Sequence, residues 1–240
     1  TPYPVDDPHP ELDTSPLLDL NNHRKYQMLL GMLQWLLTIC RPDLSQVVSS
    51  LNRFGSCPRE GHLDLAVRAF GFLKMVPNPQ IAIDSRPMQF SRSSPDYEML
   101  RPDFLADYPE AVEELDSSFP PFFGPEMWST ILVDADHAHD QATRRSLTGL
   151  IAFVGSTPVT WYSRRQGSIA SSTYAAEFSA LRTATEEAVT LRYMLRCLGC
   201  NVPSEGRCPT RIFGDNLSVI QNASNPEADL SKKHVAISFH

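Results

Sequence analysis

The 240-residue sequence has no run of about 20 apolar residues, the length that crossing a bilayer requires. Its greasiest stretch, Tyr26 to Cys40, is shorter and carries Gln27, Gly31 and Gln34, so no membrane segment is expected. It has no secretory signal, because TPYPVDDPHP contains neither a basic start nor an apolar core. It has no initiator Met, and the chain is read as a fragment or a processed piece. It has no excess of positive charge. The 21 Lys and Arg face 28 Asp and Glu, a net charge of −7. That excludes a generally basic protein that coats nucleic acid, though not a local basic groove. Cysteine is scarce and odd in number, which points to reduced thiols rather than a disulfide framework. Cys197-Leu-Gly-Cys200, with Cys208, offers a zinc reading that lacks a fourth ligand at standard spacing. The competing reading is a set of small buried side chains where a helix ends at Gly199. Cys40 and Cys57 stand alone.

What is present is ordinary globular material: 42% hydrophobic and 20% charged, which excludes a wholly disordered chain. The length suits one large domain or two small ones. Charge and proline divide it into three parts. Residues 1–84 are nearly balanced, as are residues 129–240. Residues 85–128 hold three basic and nine acidic side chains and seven prolines. They are read as an acidic linker with room for a short helix around Pro109 to Leu115.

The first part reads as helical. Met28, Leu29, Met32, Leu33, Leu36 and Leu37 follow helical spacing from His23 to Ile39, with Trp35 adding bulk. After Pro42, Asp43 is placed to cap a second helix bearing Leu44, Val47, Val48, Leu51 and Phe54. A third runs from about Arg59 to Met75, with His62 expected as a partly exposed surface residue. Ile81-Ala82-Ile83 reads as a short strand. The last part alternates. Strands are expected at Thr130 to Val133, Thr148 to Val154 and Val159 to Tyr162, the latter two forming a hairpin around Gly155-Ser156-Thr157-Pro158. A long helix follows from about Thr173 to Leu198, facing inward through Phe178, Leu181, Ala184, Ala188, Leu191, Leu195 and Leu198. Arg211-Ile212-Phe213 is a fourth strand and Asn216 to Ala223 a last helix. The order β-β-β-α-β-α predicts an α/β domain with a mixed sheet.

Three carboxylates fall at telling places. Asp134 lies at the end of the first strand, Asp215 at the end of the fourth, and Glu177 in the first turn or so of the long helix. Neighbouring first and fourth strands would bring the two Asp together, and a helix packed on the sheet would add Glu177. Crowded carboxylates stay ionised when a cation lies between them, and an all-oxygen donor set favours magnesium or manganese. The alternative is ordinary turn chemistry for the Asp and helix-dipole preference for the Glu. Asp136, two residues past Asp134, reads as a second-layer or simply exposed group, and the His137 and His139 pair that follows in DADHAHD with Asp140 admits a transition-metal reading against that of a solvated strand edge. Arg144, Arg145, Arg164, Arg165 and Gln166 flank the hairpin and are candidate contacts to a phosphate backbone, or simply solvated strand ends. Ser171-Ser172-Thr173 cap the long helix, where hydroxyls and the helix N-terminus suit a phosphate or serve as a cap alone.

Together these motifs resemble the C-terminal region of the Pol polyprotein of copia-type LTR retrotransposons. LVDADHAHDQATRRSLTGLIAFVGSTPVTWYSRRQGSIASSTYAAEFSALRTATEEA, then GDNLSVIQNA and SKKHVAIS, are similar to that family's ribonuclease H domain over residues 129–240. KYQMLLGMLQWLLTICRPDLSQVVSSLNRF and PREGHLDLAVRAFGFLK resemble the stretch joining reverse transcriptase to ribonuclease H. The resemblance implies a ribonuclease H-like mixed sheet with helices, preceded by a small, mainly helical connection module. It implies cleavage of the RNA strand of an RNA–DNA hybrid with two magnesium ions, for which manganese can substitute. Asp134, Glu177 and Asp215 take the catalytic and metal-ligating positions; Ser172 and Asn216 join the arginines and Gln166 as candidate hybrid contacts, and His234 matches a motif position. The implied partners are the hybrid and the upstream reverse transcriptase domain of the same polyprotein, and the implied place is the cytoplasmic retrotransposon particle or the nucleus. SSTYAAEF stands where many relatives read SSTEAEY, which keeps Glu177. The family's final Asp-bearing helix has no counterpart within these residues, so the ribonuclease H-like domain is expected to be incomplete at its C-terminus. A polymerase YxDD motif is also absent. The alternative is therefore an inactive relic or a hybrid-binding module without turnover.

Overall fold

The computed structural model describes residues 1–2, 9–77, 80–89, 117–202 and 210–224. The short helix expected near Pro109 lies outside the described residues, as do His234, Cys208 and most of the acidic linker. The chain divides into two compact units. One comprises Thr1–Ile81, Asp136–Gly149 and Trp161–Ala170; the other comprises Ala82–Ala135, Leu150–Thr160 and Ser171–His240. No helix among the described residues is long and apolar enough to cross a membrane.

The first unit is built on three helices, α1 (Leu20–Ile39), α2 (Ser45–Asn52) and α3 (Glu60–Met75). Asp19 starts α1, its carboxylate accepting the Asn22 N–H at 3.0 Å. The core joins Tyr26, Leu30 and Leu33 of α1 to Leu44, Val47, Val48 and Leu51, and to Ala66 and Ala69 of α3. Alanines on α3 let the helices approach closely. The Tyr26 hydroxyl is buried in that core and donates to the Leu51 carbonyl at 2.7 Å. Met28, Met32 and Trp35, which share the helical period, face solvent instead. The helix is apolar on two sides, and only one of them is covered.

Three expectations in this region are corrected. Asp43 does not cap α2. Its carboxylate is taken by the Arg41 guanidinium at 2.7 Å, and a single 3-10 turn, Pro42–Leu44, leads into the helix. His62 is buried, 2% exposed. One ring nitrogen accepts the Arg59 backbone N–H at 3.1 Å, the other lies 2.8 Å from the Pro10 carbonyl, and the ring stacks on Phe54. Ile81-Ala82-Ile83 is not a strand. No described strand pairs with it, and the Asp84 backbone bonds to the Thr157 side chain and the Ser156 N–H instead.

The sheet has four strands, β1 (Ser129–Asp136), β2 (Leu147–Val154), β3 (Thr157–Arg165) and β4 (Arg211–Phe213), in the order β3-β2-β1-β4. β2 and β3 form the expected hairpin, but its turn is only Gly155-Ser156, with Gly155 at φ +60°. Pro158 therefore sits inside β3, which an edge strand tolerates because no ladder needs its missing N–H. β4 pairs parallel to β1, with Thr130 opposite Arg211, Ile131 opposite Ile212 and Leu132 opposite Phe213. A hairpin plus one parallel strand makes the sheet mixed. The architecture is mixed α/β and consistent with a ribonuclease H-like fold.

The long helix α4 (Thr173–Cys197) is capped by Ser172, whose hydroxyl accepts the Ala175 N–H at 3.2 Å. Its Ala176, Ala180, Ala184 and Ala188 are buried, so little side-chain bulk separates the helix backbone from its neighbours. Leu198, expected inward, is 69% exposed. The helix has ended there: Gly199 at φ +75° lets the Cys200 N–H reach the Leu195 carbonyl, the glycine-terminated stop that satisfies the last carbonyls. The final helix, α5 (Leu217–Ser224), packs Val219 against Tyr174 and Phe178 of α4.

Candidate active site

The site follows from strand register. β1 and β4 run parallel, and one step beyond the Leu132–Phe213 pair the chain of β4 leaves the sheet at Gly214. A further step sets Asp215 beside Asp134. Gly214 lies close to Val133, where a Cβ would meet the Val133 carbonyl at 3.7 Å. β1 alternates buried and exposed residues from Ile131 to Asp136, so the strand continues two residues past Asp134. Glu177, in the second turn of α4, completes the group. One carboxylate oxygen from each of Asp134, Glu177 and Asp215 lies within 4.8 Å of the other two. Among the described residues no other group of His, Cys, Asp and Glu brings three ligand atoms together in this way.

The three carboxylates differ in surroundings. Asp134 and Asp215 are exposed, whereas Glu177 is 8% exposed. Burial, then the charges of Asp134 and Asp215, push the Glu177 carboxyl up to about 7, against a smaller opposing effect of the Ala135 backbone N–H. That same N–H donates to Asp134 at 2.8 Å. Among the described residues, no arginine or lysine is among the causes that set the Glu177 carboxyl. An all-oxygen group of this kind suits a hard divalent cation, which would neutralise it.

The other candidate residues have distinct settings. Ser172 and Asn216 are both helix caps, with Asn216 accepting the Val219 N–H at 3.2 Å at the start of α5. In the first unit, Arg144 is exposed in a left-handed conformation, φ 57°, and Arg164 is exposed with its guanidinium over the Tyr162 ring. Arg145 is half-buried. Arg165 is paired with Asp140 at 2.8 Å. Gln166 is buried and donates to the Thr148 hydroxyl at 3.0 Å. Of the DADHAHD histidines, His137 bonds the Ala170 carbonyl and His139 bonds Asp136 at 2.7 Å. Cys197 and Cys200 are free thiols.

No family model matches the chain, and no solved structure matches it. Sequence relatives do. Over 233 residues, 97% of the chain, it is 24% identical to the retrovirus-related Pol polyprotein from transposon RE1 of Arabidopsis thaliana. Over 95% of the chain it is 24% identical to the corresponding RE2 polyprotein of the same plant. The chain spans about 13% of the length of each. It is also 26% identical over 171 residues to secreted RxLR effector protein 161 of Plasmopara viticola, covering 71% of this chain and 94% of that protein. Over nearly its whole length the chain is thus similar to the Pol polyproteins of retrotransposons, which bears out the copia-type resemblance carried by its motifs.

Proposed function

We propose that the chain is the connection and ribonuclease H part of a retrotransposon Pol polyprotein, and that it hydrolyses the RNA strand of RNA–DNA hybrids during reverse transcription. The observation that carries this reading is the convergence of Asp134, Glu177 and Asp215 from β1, α4 and the end of β4. On this reading the trio holds two magnesium ions, or manganese in their place. Bound there, such ions supply Lewis acidity and a water of lowered pKa. Asp134 and Asp215, open to solvent, would hold the ions on the side a phosphate can reach, while the buried Glu177 would hold them from the inner side. The hairpin residues Arg144, Arg145, Arg164, Arg165 and Gln166 are candidate contacts to the hybrid, with Arg144 and Arg164 the most accessible. Ser172 and Asn216 add helix N-termini to which phosphate is attracted. The upstream reverse transcriptase domain is the partner in the same polyprotein, and the work is done in the cytoplasmic particle or the nucleus.

The test is cleavage of a labelled RNA–DNA hybrid by the 240-residue chain in magnesium or manganese, beside Asp134→Asn, Glu177→Gln and Asp215→Asn. The reading expects RNA-strand cleavage in the parent and a loss of at least a hundredfold in each variant, with folding retained. Full activity in any variant removes that residue from the site.

A second reading is a non-catalytic module or relic. A folded chain that binds the hybrid without cutting it, with or without metal, supports this second reading.

A further inference from the structure

Within the first unit, two buried carboxylates from distant parts of the sequence share one guanidinium. The Asp140 side chain is fully buried. Its Oδ2 accepts from Arg53 at 2.5 Å and from Arg165 at 2.8 Å. Its Oδ1 accepts the backbone N–H groups of Ala142 and Thr143 at 3.1 and 3.0 Å. Glu11, in the 3-10 turn Pro10–Leu12, has a side chain only 3% exposed. Its Oε1 accepts the Gln141 N–H at 2.9 Å and lies 3.2 Å from His9. Its Oε2 has no hydrogen bond, and Arg53 lies 3.9 Å from it. Arg53 immediately follows α2, so it joins the N-terminal turn, the end of a helix and the connection between β1 and β2. Breaking a buried pair leaves an uncompensated charge, which is costly. With Arg53 gone, Asp140 would keep Arg165, while Glu11 would keep the Gln141 N–H and His9 but no guanidinium among the described residues.

We propose that Arg53 is the pin of a buried ionic latch that makes the Pro10–Leu12 turn and the β1–β2 connection open together rather than separately. The latch goes beyond the nuclease reading and does not depend on it. Its physical basis is that neither carboxylate can be exposed or freed without disturbing the guanidinium on which the other relies. The Glu11 bond to the Gln141 N–H adds a direct tie between the same two segments.

Hydrogen exchange on the whole 240-residue chain tests it, followed in segments 9–15 and 140–145 for the parent, Arg53→Met and Arg53→Lys. The latch predicts that exchange in both segments accelerates together, at least tenfold in Arg53→Met and by a smaller factor in Arg53→Lys, while α1 amides around Leu30 accelerate less than either segment. Asp140→Asn should produce the same paired acceleration. If Arg53→Met does not fold, Arg53→Lys and Asp140→Asn carry the comparison. Acceleration confined to one segment, or none in either, overturns the latch.

Discussion

Asp134 on β1 and Glu177 on α4 bring carboxylate oxygens within 4.8 Å of each other, and no basic side chain of the described residues is among the influences acting on the Glu177 carboxyl. Burial and then the charge of Asp134 push that carboxyl up to about 7. The arrangement opposes folding when every member is ionised. Such a group gains most from a divalent cation, because one ion removes several repulsions at once.

The first consequence is a pH dependence of the metal-free chain. Glu177 has a folded pKa of about 7 against an ordinary 4.5. Between these values the folded chain keeps a proton that the unfolded chain has released. Stability contributed by this group therefore falls as pH rises from about 4.5 through about 7, by up to roughly 3 kcal/mol. Urea denaturation with chelator across this range should show a fall in the parent that is flattened in Glu177→Gln. Parallel curves for the two proteins would contradict the account.

The second concerns the opposite sign. Burial of Asp140 acts to raise its carboxyl, but hydrogen bonds from Arg165 and Thr143 and the charge of Arg53 outweigh it and hold the group well below the usual carboxylate range. Stability from Asp140 is complete above its unfolded value of about 3.9 and is lost as pH falls toward the lower folded value. Arg53 and Arg165 face it directly, and Glu11 faces Arg53, with His9 beside Glu11. Asp140→Asn should cost about 3–5 kcal/mol near neutral pH, the usual loss on breaking a buried pair. Denaturant titration measures it, and a loss below about 1 kcal/mol would show that the pair contributes little.

The third uses the hairpin turn. Gly155 has φ +60°, and a Cβ there would lie 2.6 Å from the Asp84 carbonyl oxygen. Both the conformation and the space exclude a side chain. Gly155→Ala should cost about 2 kcal/mol or more, and a thermal melt should fall by about 4–8 °C. Gly149→Ala is the control, since nothing lies within 4 Å of its Cβ. Its melt should be unchanged or slightly higher, because alanine has less backbone freedom to lose in a strand. Equal melting of the two variants would contradict the role given to the turn.

Much of the second unit is legible in the sequence because its signals are local. The β-branched strands, the glycine turn, the Ser172 cap and the Gly199 stop each act within a few residues. The convergence of the three carboxylates is one step less local, since it needs β1 and β4 to be neighbours. What escapes sequence reading depends on long-range partners. His62 is buried because Pro10, Arg59 and Phe54 surround it. Asp43 loses its cap role to an arginine two residues away, a competition that cap preferences do not weigh. Asp140 stands within a conspicuous polar run, but its main partners, Arg53 and Arg165, are far away in the chain. Periodicity finds both apolar faces of α1 without telling which is covered: Met28 and Met32 share the spacing of buried Leu33 and are exposed.

The most direct test of the central claim is manganese binding, followed by the paramagnetic signal of the free ion as the chain is titrated. The account predicts that the parent removes manganese from solution, that magnesium competes for it, and that Asp134→Asn and Glu177→Gln each weaken binding at least tenfold while remaining folded. Manganese uptake that is the same in the parent and both variants would mean that the carboxylates of Asp134, Glu177 and Asp215 meet without holding a cation, and the nuclease reading would fall with it.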